Sequence, residues 1–207
     1  MRLPRSAHTC RPWRIHEVAP DFTVEDVWAL PTPGGPDEFD RLVTMIAAPD
    51  RAHGESPALI YRVLFAIRWR LGALLGWDRD DSGVGARVPS LRERLPADLR
   101  DGARGPAFDS VPFESVYRTD DEWAAEMANR TVHALMHIGW VPDGNGGYRG
   151  QMAVMVKPNG FFGRAYMAAI LPFRYVLVYP ALMRMFARGW ERSSGVTADG
   201  PHRPTTP

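Results

Sequence analysis

The sequence has few features of a secreted or nucleic-acid-binding protein. Its 207 residues include one cysteine, Cys10, so no internal disulfide can form, and we expect a cytoplasmic location. The formal net charge is +1, which gives no reason to expect a nucleic-acid partner. The N-terminus also lacks the continuous apolar core of a signal peptide.

A long uncharged hydrophobic run is also lacking. The most apolar stretch, Pro158 to Trp190, is interrupted by four arginines, Arg164, Arg174, Arg184 and Arg188. A transmembrane helix needs about 18 uncharged residues, so this stretch does not predict a membrane span. We interpret it as two helical pieces, one opening at Gly163 and one starting at or kinked by Pro172.

What remains is the composition of an ordinary globular protein, 45% hydrophobic and 24% charged. We expect one domain over residues 12–190, between a flexible N-terminus (1–11) and a disordered tail (191–207) that is poor in large apolar residues.

The first half of the chain predicts one strand and several helices. Alternation over Trp13–Ala19 indicates a strand, and Thr23 can cap a short helix that Pro31 ends. Three further expectations come next in order: a short helix after Asp37, a long helix over residues 57–75 between Ser56 and Gly76, and an irregular excursion over residues 78–112 with one helical turn.

Four extended segments then predict an antiparallel meander: Phe113–Thr119, Glu122–Ala128, Thr131–Val141 and Tyr148–Lys157. Asn129 and Arg130 would form a tight turn that pairs Ala128 with Thr131. Pairing Pro142 with Tyr148 gathers the apolar residues on one face. The other face, expected to be wet, carries the cross-strand pairs Glu126/His133 and Glu122/His137. The C-terminal helix should cover the apolar face.

The C-terminal quarter resembles the DUF2867 family of uncharacterised bacterial proteins. The matching features are Gly160, Gly163-Arg164, Tyr166 and Pro172-Phe173, together with the arginine-bearing helix around Ala66–Gly76, whereas Arg174 replaces the family's histidine. The resemblance implies a Bet v 1-like (SRPBCC), helix-grip fold of class α+β, in which a curved antiparallel sheet wraps around a long C-terminal helix. It also implies a cavity for an apolar or amphipathic molecule and supplies no catalytic residues.

The candidate ligand-binding residues are the aromatic and methionine side chains of the apolar face. They are Trp123, Met127, Met136, Trp140, Tyr148, Met152, Tyr166 and Phe173. These residues either fill a solid core or line a pocket, in which the adaptable methionines suit an apolar ligand. A buried Tyr148 or Tyr166 hydroxyl would then bond a polar atom of the ligand.

The segment around Glu122, Glu126, His133 and His137 has a second interpretation. As one helix, it would place two carboxylates and two histidines at metal-binding spacing. In the favoured hairpin, His133 and His137 lie about 13 Å apart along one strand and cannot share an ion. We therefore expect no metal and no cofactor.

Three hypotheses about function stay open. The chain binds a small apolar molecule, or it is an enzyme that uses Glu126/His133 or a tyrosine as acid or base, or it is a partner-binding module with a solid core. The arginines of the C-terminal helix form a solvated face or a basic rim that contacts an anionic membrane surface. The sequence does not determine the oligomeric state.

Overall fold

The computed structural model describes residues 1–47, 88–108, 112–128, 132–158 and 174–195. These residues form the strands β1 (Arg2–Leu3), β2 (Thr23–Ala29), β3 (Glu114–Arg118), β4 (Glu122–Ala128), β5 (Val132–Pro142) and β6 (Tyr148–Pro158). The helices are α1 (Ser6–Thr9), α2 (Ile15–Val18), α3 (Phe39–Ala47), the 3-10 helix η1 (Leu91–Arg94), α4 (Ala97–Asp101), a π-helical turn (Arg174–Val178) and α5 (Tyr179–Gly195).

The described strands form one curved antiparallel sheet in the order β1-β2-β6-β5-β4-β3. The predicted pairing of Pro142 with Tyr148 is confirmed. Between these residues the Asp143 carboxylate accepts hydrogen bonds from the backbone N–H groups of Asn145 (2.7 Å) and Gly147 (3.1 Å), which fixes the turn.

The register of β4 on β5 differs from the prediction by two residues. Ala128 pairs with His133 instead of Thr131, so more than the two predicted residues separate the paired positions of β4 and β5. The predicted turn residues, Asn129 and Arg130, lie outside the described residues. A shift of two residues keeps every side chain on the same face, because side chains alternate with a period of two. The division into an apolar face and a Glu/His face is therefore correct.

The predicted helix at Thr23 is wrong, because this segment is strand β2, which pairs with β6. A register shift between Val24 and Asp26 places Val24 and Val27 in the same core cluster. This bulge hides the period-two alternation and produces a spacing of three that resembles a helix. The strand is favoured by β-branched residues and by its place beside β6.

The predicted strand over Trp13–Ala19 is also wrong, since it contains the one-turn helix α2. Trp13 is buried before the helix, and Ile15, Val18 and Ala19 are buried at helical spacing. In residues 1–11, expected to be flexible, the structure contains β1 and α1 and buries His8 completely. The short helix after Asp37 is confirmed as α3.

Both faces of the sheet are covered. On the α5 face, Ile138, Trp140 and Met152 pack with α3 and α5 in one core cluster. On the opposite side, called here the N-terminal face, Leu135 and Met155 pack with residues of α2, η1 and α4. The expectation that the Glu/His face is wet is therefore wrong: it is covered by two segments that precede the meander in the sequence.

The C-terminal helix lies on the apolar face, where Phe186 and Trp190 join the α5-face core. Its π-helical turn changes to α-helix next to Pro180, whose missing N–H cannot bond to the preceding turn. α5 continues to Gly195, into the segment expected to be a tail. The predicted helices over residues 57–75 and from Gly163 lie outside the described residues. Among the helices that the structure does describe, none combines the length and the apolar character that a membrane span requires.

Candidate functional site

The predicted ligand-binding residues that the structure describes share the α5 face. Trp123, Trp140 and Met152 are buried, while Met136 and Tyr148 are partly buried against the same core cluster. Met127 is partly buried near the end of β4. Tyr166 and Phe173 lie outside the described residues.

The two buried tryptophans of this set have their polar tips occupied by the protein. The indole N–H of Trp140 donates to the carbonyl oxygen of Gly35 (3.0 Å), and that of Trp123 donates to the Ser115 hydroxyl (3.0 Å). Trp140 also stacks on Tyr148, with 6.5 Å between ring centroids. These rings supply apolar surface, and their orientation is fixed without a ligand.

A buried charged cluster adjoins this apolar surface at β2. After the bulge, Asp26 lies on the same side of β2 as Trp28, toward the α5 face, and its side chain is 1% exposed. Its Oδ2 accepts hydrogen bonds from Arg174 Nη2 (2.5 Å) and from the Tyr179 hydroxyl (2.7 Å), and its Oδ1 accepts one from the Tyr175 hydroxyl. We call Asp26, Arg174, Tyr175 and Tyr179 the Asp26 cluster.

The tyrosines of the Asp26 cluster act as hydrogen-bond donors. Burial, and then the Asp26 carboxylate, raise the pKa of Tyr175 above its ordinary value. Burial also raises the pKa of Tyr179, although the Arg174 guanidinium acts in the opposite direction. Both hydroxyls therefore stay protonated near neutral pH and donate to the Asp26 side chain, which also accepts a hydrogen bond from Arg174.

The placement of Arg174 corrects the expectation that all arginines of the C-terminal helix lie on an outer face. Its side chain is 12% exposed, whereas Arg184 and Arg188 are exposed. Burial lowers the pKa of Arg174, but Tyr179 and Asp26 outweigh this effect and raise it. Arg174 is therefore a permanent, largely buried cation paired with Asp26.

Glu126 and His133 lie on the N-terminal face, where Glu126 holds η1 against the sheet. The carboxylate bonds His133 Nε2 (2.7 Å), the Ser90 hydroxyl (2.6 Å) and the backbone N–H of Leu91 (3.1 Å). Burial raises the pKa of Glu126, but these hydrogen bonds outweigh it, and the pKa lies below its ordinary value. The predicted Glu126/His133 contact is confirmed, and the same carboxylate attaches η1 to the sheet.

Glu122 and His137 also make the predicted contact and extend it to His8. His137 Nε2 bonds Glu122 Oε2 (2.9 Å), and His137 Nδ1 bonds His8 Nε2 (3.1 Å). Burial, followed by the nearby His137 and His16, lowers the pKa of His8 to about 2. A neutral His8 that donates to His137 keeps a lone pair on Nδ1, which is buried without a partner among the described residues.

Metal binding finds no support in these groups. In the part of the chain that the structure describes, no three His, Cys, Asp or Glu side chains are arranged to hold an ion. The histidines of the N-terminal face use their nitrogens to bond Glu126, Glu122 and each other.

Comparison with known proteins gives one family. Residues 18–181 match DUF2867, described as a protein of unknown function. The chain belongs to the DUF2867 family. No curated protein and no solved structure matches it.

The DUF2867 region contains β2 to β6 and the whole Asp26 cluster. His8 and Trp13, which cover His137 on the N-terminal face, precede it. The Asp26 cluster therefore lies within the part of the chain that defines the family match, whereas the contact from His8 comes from outside it.

Sequence reasoning missed Asp26, Tyr175, Tyr179 and His8 as site residues. One signal was available for this segment: two carboxylates, Glu25 and Asp26, stand between β-branched and aromatic residues, where a carboxylate is typical of a buried charge with a partner. His8 carried no such signal, since the side chain to which it hydrogen-bonds, His137, lies 129 residues away in the sequence.

Proposed function

We propose that this protein binds a small apolar or amphipathic molecule between the sheet and α5, in a helix-grip arrangement. The observation that carries the proposal is the Asp26 cluster: charged and hydroxyl groups converge, buried, at the border of a surface formed by aromatic and methionine side chains. Apolar walls with a few convergent polar groups are typical of small-molecule sites. The proposed lining consists of the predicted set from Trp123 to Phe173.

The topology supports the helix-grip part of the proposal. The first long strand, β2, pairs with the last strand, β6, and strands β3 to β6 follow one another as a meander. The first and the last long strand of the sequence are therefore neighbours in the sheet, and the C-terminal helix that follows packs on the α5 face.

Binding is better supported than an acid–base reaction. The Glu126 carboxylate is occupied by His133, Ser90 and Leu91, and the Asp26 carboxylate is occupied by Arg174 and two tyrosines. A general base needs a lone pair directed at its substrate. These carboxylates instead orient their neighbours.

Two methionines of β6 offer a matched test of the site. Met152 and Met155 are each 2% exposed, on opposite faces of the same strand. We expect native mass spectrometry of protein from its own host to detect a retained small molecule, and a neutral fluorescent probe, N-phenylnaphthylamine, to bind purified protein. Met152→Ala should weaken probe binding about tenfold through lost apolar contact.

Met155→Ala is the control, because it removes the same side chain from the N-terminal face. It should leave probe affinity within about twofold of wild type while costing similar stability, about 2–5 kcal/mol. Equal weakening by both substitutions, or no retained mass and no probe binding by the folded wild type, would refute the proposed site. The second result would favour a solid-core, partner-binding module.

A further inference from the structure

We propose that the bound molecule carries an anionic oxygen group, of which a carboxylate is the simplest, and that this group accepts hydrogen bonds from Arg174 beside Asp26. This inference rests on the proposed function and adds the chemical class of the ligand's polar end.

The charges around Asp26 favour an anion. Arg174 lies within hydrogen-bond distance of Asp26, and Arg2 Nη2 lies 3.8 Å from Asp26 Oδ1, with its guanidinium 4.5 Å from the centre of the Tyr175 ring. The neighbouring tyrosines are neutral. Among the described residues, two guanidinium groups therefore face one carboxylate, with the 56% exposed Arg2 side chain approaching from solvent, and this local charge favours an anion over a cation.

Most of the acceptor capacity of Asp26 is already used. Asp26 accepts three hydrogen bonds, from Arg174, Tyr175 and Tyr179, and also faces Arg2. A ligand that donates hydrogen bonds would compete with these groups for the carboxylate. The carboxylate is therefore a fixed anchor for Arg174, and the cluster has little capacity for a donor.

The donors, in contrast, are not all occupied. Arg174 Nη1 and Trp28 Nε1 are buried and have no hydrogen-bond partner among the described residues. Both groups can only donate, and a buried donor without an acceptor is unfavourable.

Both donors belong to residues that lie close to Tyr179. The Trp28 ring centroid is 4.5 Å from that of Tyr179, and the Arg174 guanidinium carbon is 5.6 Å from the Tyr179 ring centre. Trp28 comes from β2 and Arg174 from the turn before α5, so the donors belong to the two layers between which the ligand is proposed to bind. Arg174 supplies charge as well as geometry, which distinguishes a carboxylate from a neutral oxygen acceptor.

Competition with N-phenylnaphthylamine tests the inference. The competitors are three compounds with the same twelve-carbon chain, dodecanoic acid, dodecanol and methyl dodecanoate, and a rigid pair, naphthoic acid and naphthol. Their displacement of N-phenylnaphthylamine from the protein is measured at about pH 7.5, where the acids are ionised. We expect the acids to bind about ten- to hundredfold more tightly than the neutral compounds, as for a charge-assisted hydrogen bond in a buried site.

Arg174→Gln should abolish this preference, so that the ratio of acid to dodecanol affinity falls to about one, because the amide retains polarity without charge. Arg184→Gln, on the exposed side of α5, is the control and should keep the preference. If Arg174→Gln does not fold, the double variant Asp26→Asn, Arg174→Gln removes both charges and should show the same loss.

The outcomes separate this inference from the proposed function. Acids and neutral probes that bind equally well would leave the binding site standing and overturn the anionic ligand. A preference for acids that survives in both Arg174 variants would also overturn it. Failure of every probe to bind the folded wild type would refute the proposed function, and with it this inference.

Discussion

His8 is buried as a neutral imidazole, and the stability of the protein should therefore fall in mild acid. Its pKa is lowered from 6.5 to about 2 in the folded state, by burial and by His137 and His16. Below about pH 6.5 the unfolded chain binds a proton on this residue and the folded chain does not. Stability is thus complete above the unfolded pKa and is lost as the pH falls toward the folded pKa.

The magnitude follows from proton linkage. With an unfolded pKa near 6.5 and a much lower folded pKa, His8 alone lowers the free energy of unfolding by about 1.4 kcal/mol at about pH 5.5 and by about 2.7 kcal/mol at about pH 4.5. The first value is almost the same for any folded pKa below about 4.5. It therefore depends on His8 being buried and neutral rather than on the size of the shift.

Urea unfolding of the wild type and of His8→Gln between about pH 7.5 and about pH 4.5 measures this contribution. Glutamine can still donate to His137 but does not titrate, so the difference between the two curves measures the titration of His8, including its coupling to His137 and His16. His16→Gln is the control on the same segment. Parallel pH profiles for wild type and His8→Gln would refute the buried neutral state of His8.

Two further predictions concern the covering of the N-terminal face. Glu126→Ala removes the acceptor of the Leu91 N–H and should increase hydrogen exchange at that amide by about ten- to hundredfold, as measured by mass spectrometry; unchanged exchange would contradict the proposed anchor. Gly139→Ala should cost about 1–3 kcal/mol in urea unfolding, because its Cβ would lie 2.7 Å from the Trp13 ring. Gly139→Ala combined with Trp13→Leu should recover part of the loss, and no recovery would argue against that contact.

The β5–β6 hairpin was predictable because its information is local. The loop from Asp143 to Gly147 contains residues that favour a turn, and only one register joins apolar residues across the strands. The same reasoning located both faces of β4 and β5 although the register was shifted by two residues, because a shift of two does not change the face.

Strand β2 could not be predicted in the same way. Its bulge changes the spacing of buried residues, and the bulge is defined only by pairing with β6. Because the bulge puts Val24 and Asp26 on opposite faces of the strand, the face of Asp26, and with it the Asp26 cluster, was not predictable from the pattern either. In the sequence, Tyr175 and Tyr179 are indistinguishable from other residues of an apolar helix. Only the structure shows that their hydroxyls donate to the buried Asp26 carboxylate.

By itself the sequence determined the meander, its two faces, the α3 helix and the helix that covers the apolar face, because each follows from local periodicity and turn chemistry. Only the tertiary structure decided that the Glu/His face is buried, since that depends on residues 8–18 and 90–99 meeting the sheet from distant parts of the chain. It also decided that Arg174 is a buried partner of Asp26. A charged side chain is buried only where another segment supplies its counter-charge, and periodicity within one segment carries no information about that partner.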